Sequence, residues 1–177
     1  PIPNASVYGI DCEGEPLGPV TCFKTDTTRA DAEGYYSMPK EPGWVGAEAP
    51  GYWMSDQVPV LYKKELASNV SLYPFAWLKV TIRNESGIYG FGSSQLLADR
   101  LIQPQGQEHS VIKLVKGNDL FTLVFFILLD ANTSTTDISN VKVLSESGKE
   151  LPIDQGVSLS VSLNPIGHDT TNLLIIY

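Results

Sequence analysis

Apolar residues recur in short runs with a two-residue period or β-branched and aromatic enrichment: "ASVYGI", "VTCFKT", "YYSM", "WVGAEA", "NVSLY", "AWLKVTIR", "SVIKLV", "LFTLVFFILL", "NVKVL", "VSLSVSL" and "NLLIIY". Each is bounded by Gly, Pro, Asn, Asp or Ser, the punctuation of tight turns. Many short strands at such spacing predict a sandwich or barrel. Only "SSQLLADRLIQ", residues 93–103, has helical composition, and Pro104 and Gly106 close it, so it reads as a short helix or an ordered loop.

Pro74 follows "NVSLY" and precedes a new strand, and turn chemistry is denser before it than after it. The expected architecture is all-β: two tandem β-sandwich domains, residues 1–74 and 75–177. In "TTRADAEGYYSMP", Asp31 can accept hydrogen bonds from the following amides, and Gly34 can take a positive φ that a Cβ would oppose. Tyr36 and Met38 then alternate onto one face, predicting a hairpin with Tyr35 on the outer side. A second turn, "DCEGEPLGPV", has Gly14 and Gly18 as permissive residues, Pro16 and Pro19 as rigid ones and Leu17 as an apolar plug.

The run "LFTLVFFILL", residues 120–129, is apolar on both faces: Leu120, Val124, Phe126 and Leu128 on one side, Phe121, Leu123, Phe125, Ile127 and Leu129 on the other. It is a central strand between layers of its own domain, or its second face is covered by residues 93–103, the first domain or another subunit. It is also far shorter than the roughly 20 residues of a membrane-spanning helix. Twelve basic against twenty acidic residues give a net charge of −8, which repels nucleic acid and anionic lipid.

In order, "VYGIDCEGEPLGPVTCF", "TRADAEGYYSM" and "EAPGY" resemble the carboxypeptidase regulatory-like domain, a transthyretin-like β-sandwich, over residues 5–74. Gly9, Asp11, Gly14, Pro16, Leu17, Asp31, Gly34, Tyr36, Gly51 and Tyr52 carry the resemblance, and all are turn or core positions. The family serves as accessory modules beside peptidases, at the start of outer-membrane transporters, and in surface lipoproteins of Gram-negative anaerobes. The resemblance therefore implies a cell-envelope location, periplasmic or on the outer-membrane surface, with a lipid anchor upstream of Pro1 if the full chain carries a lipobox.

Catalytic constellations are sparse. His109 and His168 stand outside any metal-ligand spacing, and two cysteines cannot make a Cys₄ or Cys₂His₂ centre. "GIYGFG" lacks the strand-to-helix context and the lysine of a phosphate loop. "DANTSTTD", residues 130–137, offers oxygens but lacks the Gly and terminal Glu of a calcium loop. No cofactor and no enzymatic activity are expected. Cys22 is in phase with Val20 and reads as inward, whereas Cys12 falls in the turn after Asp11. A bridge between them requires Cα atoms within about 7 Å, a distance that sequence does not supply, so both redox states stay open.

The function this implies is a non-catalytic binding or accessory module that contacts a glycan or an envelope or host protein. The alternative is a structural subunit of a fimbria-like assembly, in which one chain donates a strand to the next; "NLLIIY" reads instead as an integral last strand. Oligomeric state is open on both readings. The candidate binding residues are Trp44, Trp53 and Tyr35. Val45, Ala47 and Ala49 share one parity, which sends Trp44, Gly46 and Glu48 outward and leaves the Trp44 indole without a bulky shield at position 46.

Overall fold

The computed structural model describes the chain apart from residues 15–18, 40–41, 57, 61–68, 88–89, 100, 129–139 and 156–157 and the side chain of Leu128. Among the described residues no helix forms, and the strands group into several sheets. The chain divides into two units, Pro1–Pro74 and Phe75–Tyr177.

In the first unit β1 (Ser6–Gly14), β2 (Val20–Arg29), β3 (Trp44–Glu48) and β4 (Val58–Pro59) form one antiparallel sheet in the order β2-β1-β3-β4. The register pairs Val7 with Ala47 and Gly9 with Val45 on one face, and Tyr8 with Gly46 and Ile10 with Trp44 on the other. Val7, Val45 and Ala47 form the buried centre, and Tyr36, Met38, Val60, Val70 and Leu72 pack against it. The turn after β2 forms as its residues dictate. The Asp31 carboxylate accepts from the amides of Glu33 (3.1 Å) and Tyr35 (2.8 Å), and Gly34 sits at φ 85°.

Neither "YYSM" nor "NVSLY" becomes a strand, contrary to their alternation. Tyr36, Met38, Val70 and Leu72 use that alternation to cover one face of the sheet, while β3, not residues 35–38, takes the free side of β1. Extended chain can bury every second side chain without a ladder partner. The hairpin partner of β2 is β1, which runs on through Asp11 to Gly14, so Cys12 lies in a strand rather than a turn. Leu17 and Gly18 lie outside the described residues.

The second unit holds β5 (Phe75–Arg83), β6 (Gly90–Gly92), β7 (Leu101–Ile102), β8 (Glu108–Lys116), β9 (Phe121–Leu128), β10 (Lys142–Ser145), β11 (Asp154–Gln155), β12 (Leu159–Leu163) and β13 (Thr170–Ile176). One sheet has the order β10-β13-β5-β8 and the other β11-β12-β9-β6-β7. A single apolar cluster draws Leu78, Val80 and Ile82 from β5, Leu173 and Ile175 from β13, Leu123, Phe125 and Ile127 from β9, and Val161 from β12. Two sheets sharing one core in this way form a β-sandwich-like layer pair. Strand β13 lies between β10 and β5, parallel to β5, because "NLLIIY" has core-facing residues at Leu173 and Ile175.

Among the described residues of 93–103 there is no helix. The Ser93 carbonyl accepts from Leu96 N (3.1 Å) and Leu97 N (2.9 Å), which makes one turn, and β7 follows. The reason is the edge of β9. Gln95 uses its carboxamide as a substitute strand, accepting from Val124 N at 2.7 Å and donating to Thr122 O at 3.0 Å, while Ser93 Oγ donates to Val124 O at 2.7 Å. Strand-like polar satisfaction outweighs helix propensity here. Lys113 Nζ on β8 donates to the Gln95 carbonyl, and Leu96 and Leu97 pack on the core.

On β9, Leu123, Phe125 and Ile127 are buried and Phe121 is half-buried. The opposite face is not fully covered: Leu120 is exposed, and Val124 and Phe126 each keep more than one third of their surface in solvent. Phe126 instead packs against Gly92, where a Cβ would come within 2.2 Å of its ring. A bare backbone thus shields one side of an otherwise outward aromatic ring.

Candidate functional site

The first unit holds an open cavity of about 430 Å³ beside the Asp31 turn. Its floor is made by Ala5, Val7 and Ala47, side chains that belong to the buried layer, and Glu33, Asn69 and Ser71 supply polar groups at its wall. Tyr35 lines it with 74% of its surface exposed. Its position is fixed by the backbone: Tyr35 N donates to Asp31 Oδ1 at 2.8 Å and Tyr35 O accepts from Asp31 N at 2.8 Å. Tyr36, the next residue, turns into the core, and burial raises the pKa of its phenol. One turn therefore presents one tyrosine to solvent and one to the interior.

Neither tryptophan joins this cavity. Trp44 is 39% exposed, as the parity of β3 requires with Val45 and Ala47 buried. The space over Gly46 is not open, however. The Tyr8 ring fills it, so that a Cβ on Gly46 would meet Tyr8 Cε2 at 2.7 Å. Lys24 Nζ sits 3.8 Å from the centre of that ring and pairs with Glu48 at 3.2 Å. Burial raises the Tyr8 pKa, Lys24 opposes the shift and Glu48 adds to it. Trp44 is thus the border of a Tyr8–Lys24–Glu48 cluster rather than an isolated platform. Trp53 is half-buried, with its amide donating to Tyr73 O at 2.8 Å.

Cys12 and Cys22 are directly opposite each other on β1 and β2, with Cα atoms 4.0 Å apart, and their sulfurs are bonded. Both are exposed, so the inward reading of Cys22 is corrected. The ribbon of Asp11–Gly14 and Val20–Phe23 lies past the buried centre of the sheet, so Cys22 keeps its phase with Val20 but both stand in solvent. The bridge staples this ribbon.

No three His, Cys, Asp or Glu side chains converge on a common point among the described residues. "DANTSTTD" lies outside the described residues. Sequence reasoning missed Trp77, which points outward from β5 with 47% of its surface exposed while Ala76, Leu78, Val80 and Ile82 are buried. The alternation of "AWLKVTIR" carried that signal by the same parity that sends Trp44 outward. No protein-family model matches the chain, and neither a curated protein nor a solved structure is similar enough to count as a match.

Proposed function

We propose that the chain is a non-catalytic binding module of the cell envelope, with two β-sandwich domains in tandem, the first of the carboxypeptidase regulatory-like, transthyretin-like kind. The observation that carries the reading is the cavity beside the Asp31 turn: a concave, partly apolar site of small-ligand size with an exposed tyrosine on a hydrogen-bonded turn at its edge. Tyrosine offers a flat apolar ring and one hydroxyl with little rotamer entropy to lose, properties that suit a sugar ring or a peptide segment.

Three glycines of the resembling stretch hold positions that a side chain would strain. Gly9 leaves no room for a side chain, since a Cβ would stand 2.5 Å from Thr25 Oγ1 and 2.8 Å from Pro42 Cβ. Gly34 and Gly51 both take positive φ, 85° and 80°. The envelope location rests on the resemblance alone, and a lipid anchor would hold the module there if the full chain carries a lipobox.

The test is a binding screen of the parent and Tyr35→Ala against immobilised envelope and host glycans and the corresponding surface proteins. The expected result is at least one ligand whose affinity falls tenfold or more in Tyr35→Ala at an unchanged melting temperature. Absence of any ligand, or binding indifferent to Tyr35→Ala, overturns the assignment to this cavity.

A further inference from the structure

The outward face of the β10-β13-β5-β8 sheet carries a second set of groups, remote in sequence from Tyr35. Along β5 the outward residues are Trp77, Lys79, Thr81 and Arg83; the register sets Thr170 and Asn172 of β13 beside Trp77 and Lys79. On the other side of β5, Leu114 faces Trp77 and Ile112 faces Lys79. Trp77 and Ile112 are 47% and 62% exposed, which makes one apolar corner. Beyond that corner every outward position of β5 is polar.

Those polar groups divide into engaged and unengaged ones. Arg83 Nε donates to Glu108 at 2.7 Å and its guanidinium also approaches Glu85, so its charge is matched. Thr81 Oγ1 and Ser110 Oγ share a hydrogen bond of 3.0 Å. The side chains of Lys79 and Asn172 make no hydrogen bond or ion pair with another described residue. Next to them is a shallow cavity of about 370 Å³ lined by Thr81, Arg83, Glu108, Asn172 and Leu174 among others. Asn172 therefore stands between the indole and the cavity. From Trp77 to Arg83 the strand extends about 20 Å at its usual rise per residue.

A sugar ring has a C–H face that stacks on an indole and a rim of hydroxyls that both donate and accept. An aromatic platform followed by a carboxamide, an ammonium and hydroxyls in one line matches that alternation along a chain of rings. A protein interface would instead call for a continuous apolar centre; here Trp77 and Ile112 at one corner are separated from Leu144 and Leu174 at the cavity by Lys79 and Asn172. The matched charge of Arg83 and the net charge of −8 select against a polyanion.

We infer that the outer face of this sheet is a carbohydrate platform that takes an extended neutral oligosaccharide, one ring stacked on Trp77 and the following hydroxyls bonded by Lys79 and Asn172. The site stands independently of the Tyr35 cavity. It is tested by calorimetric titration of the full chain with neutral hexasaccharides (β-linked glucose, mannose, xylose and N-acetylglucosamine) and with a polyuronate hexamer. At least one neutral hexamer is expected to bind, with affinity lowered tenfold or more in Trp77→Ala, three- to tenfold in Asn172→Ala, largely kept in Trp77→Phe, and unchanged in Tyr35→Ala. Lack of binding by every neutral hexamer, binding by the polyuronate alone, or a Trp77→Ala variant that binds like the parent would overturn the inference. Loss in Tyr35→Ala with Trp77→Ala unaffected would overturn it too, while supporting the cavity. Should Trp77→Ala fail to fold, the Asn172→Ala and Trp77→Phe pair decides.

Discussion

The two units solve the same problem, covering a sheet, by different means. In Phe75–Tyr177 the cover for one sheet is another sheet, and large side chains such as Phe91, Phe125, Leu78 and Ile82 interdigitate with essentially no solvent exposure. In Pro1–Pro74 the described residues form one sheet whose fully buried centre is small, Val7, Val45 and Ala47, and the cover is chain without ladder partners. Burying a large apolar side chain stabilises by roughly 1.5–3 kcal/mol, so the second unit has the greater apolar driving force. The first compensates with a covalent staple, Cys12–Cys22, as small domains with modest cores commonly do. The surfaces differ correspondingly: the first unit carries a cavity that reaches its buried layer, and the second an exposed sheet face over a sealed core.

The sharpest way to break this contrast is to empty the better core. Phe125 is fully buried and stacks on Phe91 at 5.5 Å between ring centres. Phe125→Ala removes most of a ring from a close-packed interior and is expected to cost about 3–5 kcal/mol. Urea unfolding followed by amide signals assigned to each unit should show the Phe75–Tyr177 transition moving to lower denaturant and the Pro1–Pro74 transition staying in place. If both move together, the two units fold as one cooperative body and the contrast dissolves.

The second effect should fall on the other unit. Cleaving Cys12–Cys22, by reductant or in the Cys12→Ser/Cys22→Ser pair, frees a loop with a sequence separation of 10. The unfolded chain then gains conformational entropy corresponding to roughly 2–3 kcal/mol of lost stability. The expected signature is a lower melting temperature for Pro1–Pro74 with Phe75–Tyr177 unchanged. A melting profile insensitive to reduction would show that the ribbon of β1 and β2 past the sheet's centre contributes nothing to the first unit's stability.

How much of this could be read beforehand depends on what local chemistry decides. Asp31 and Gly34 announced their turn, because a carboxylate two and four residues before free amides and a Cβ-free position at positive φ are properties of those residues alone. The outward direction of Trp44 was legible from Val45 and Ala47, and that of Trp77 was equally so in "AWLKVTIR" but went unused. What sequence could not supply were facts about partners. Gln95 replaces a strand at the edge of β9, so a helix-like composition became one turn. Tyr8 fills the space over Gly46 because the cross-strand register places it there. Cys22 keeps its phase with Val20, but the ribbon that carries both outruns the core, so neither is buried. The Tyr35 cavity needed residues 30–36 and 69–72 in one place, a juxtaposition with no trace in either segment by itself.

The smallest expected effect concerns Tyr177 and pH. Its ring lies 6.1 Å from that of Phe91, its amide donates to Arg83 O at 3.1 Å, and its hydroxyl is buried with no hydrogen-bond partner among the described residues. Burial pushes its pKa up to about 12, against about 10 for an unfolded tyrosine. Between those values the unfolded chain has released the proton and the folded one keeps it, so stability falls as pH rises; it is fully present below pH 10 and lost progressively towards pH 12. By pH 11 the loss from this one group is about 1.4 kcal/mol. Tyr8 and Tyr36 are also shifted upward by burial, so the first unit weakens in alkali as well. Tyr177→Phe separates the two: the Phe75–Tyr177 transition should become flatter between pH 9 and 11, while the Pro1–Pro74 transition keeps the parent's alkaline decline. At pH 7 the variant should be at least as stable as the parent, since it removes a buried hydroxyl that forfeits its hydration. A loss of more than about 1 kcal/mol at pH 7 would mean that the hydroxyl has a partner in solution, and that the sealed core of the second unit is wetter than its packing indicates.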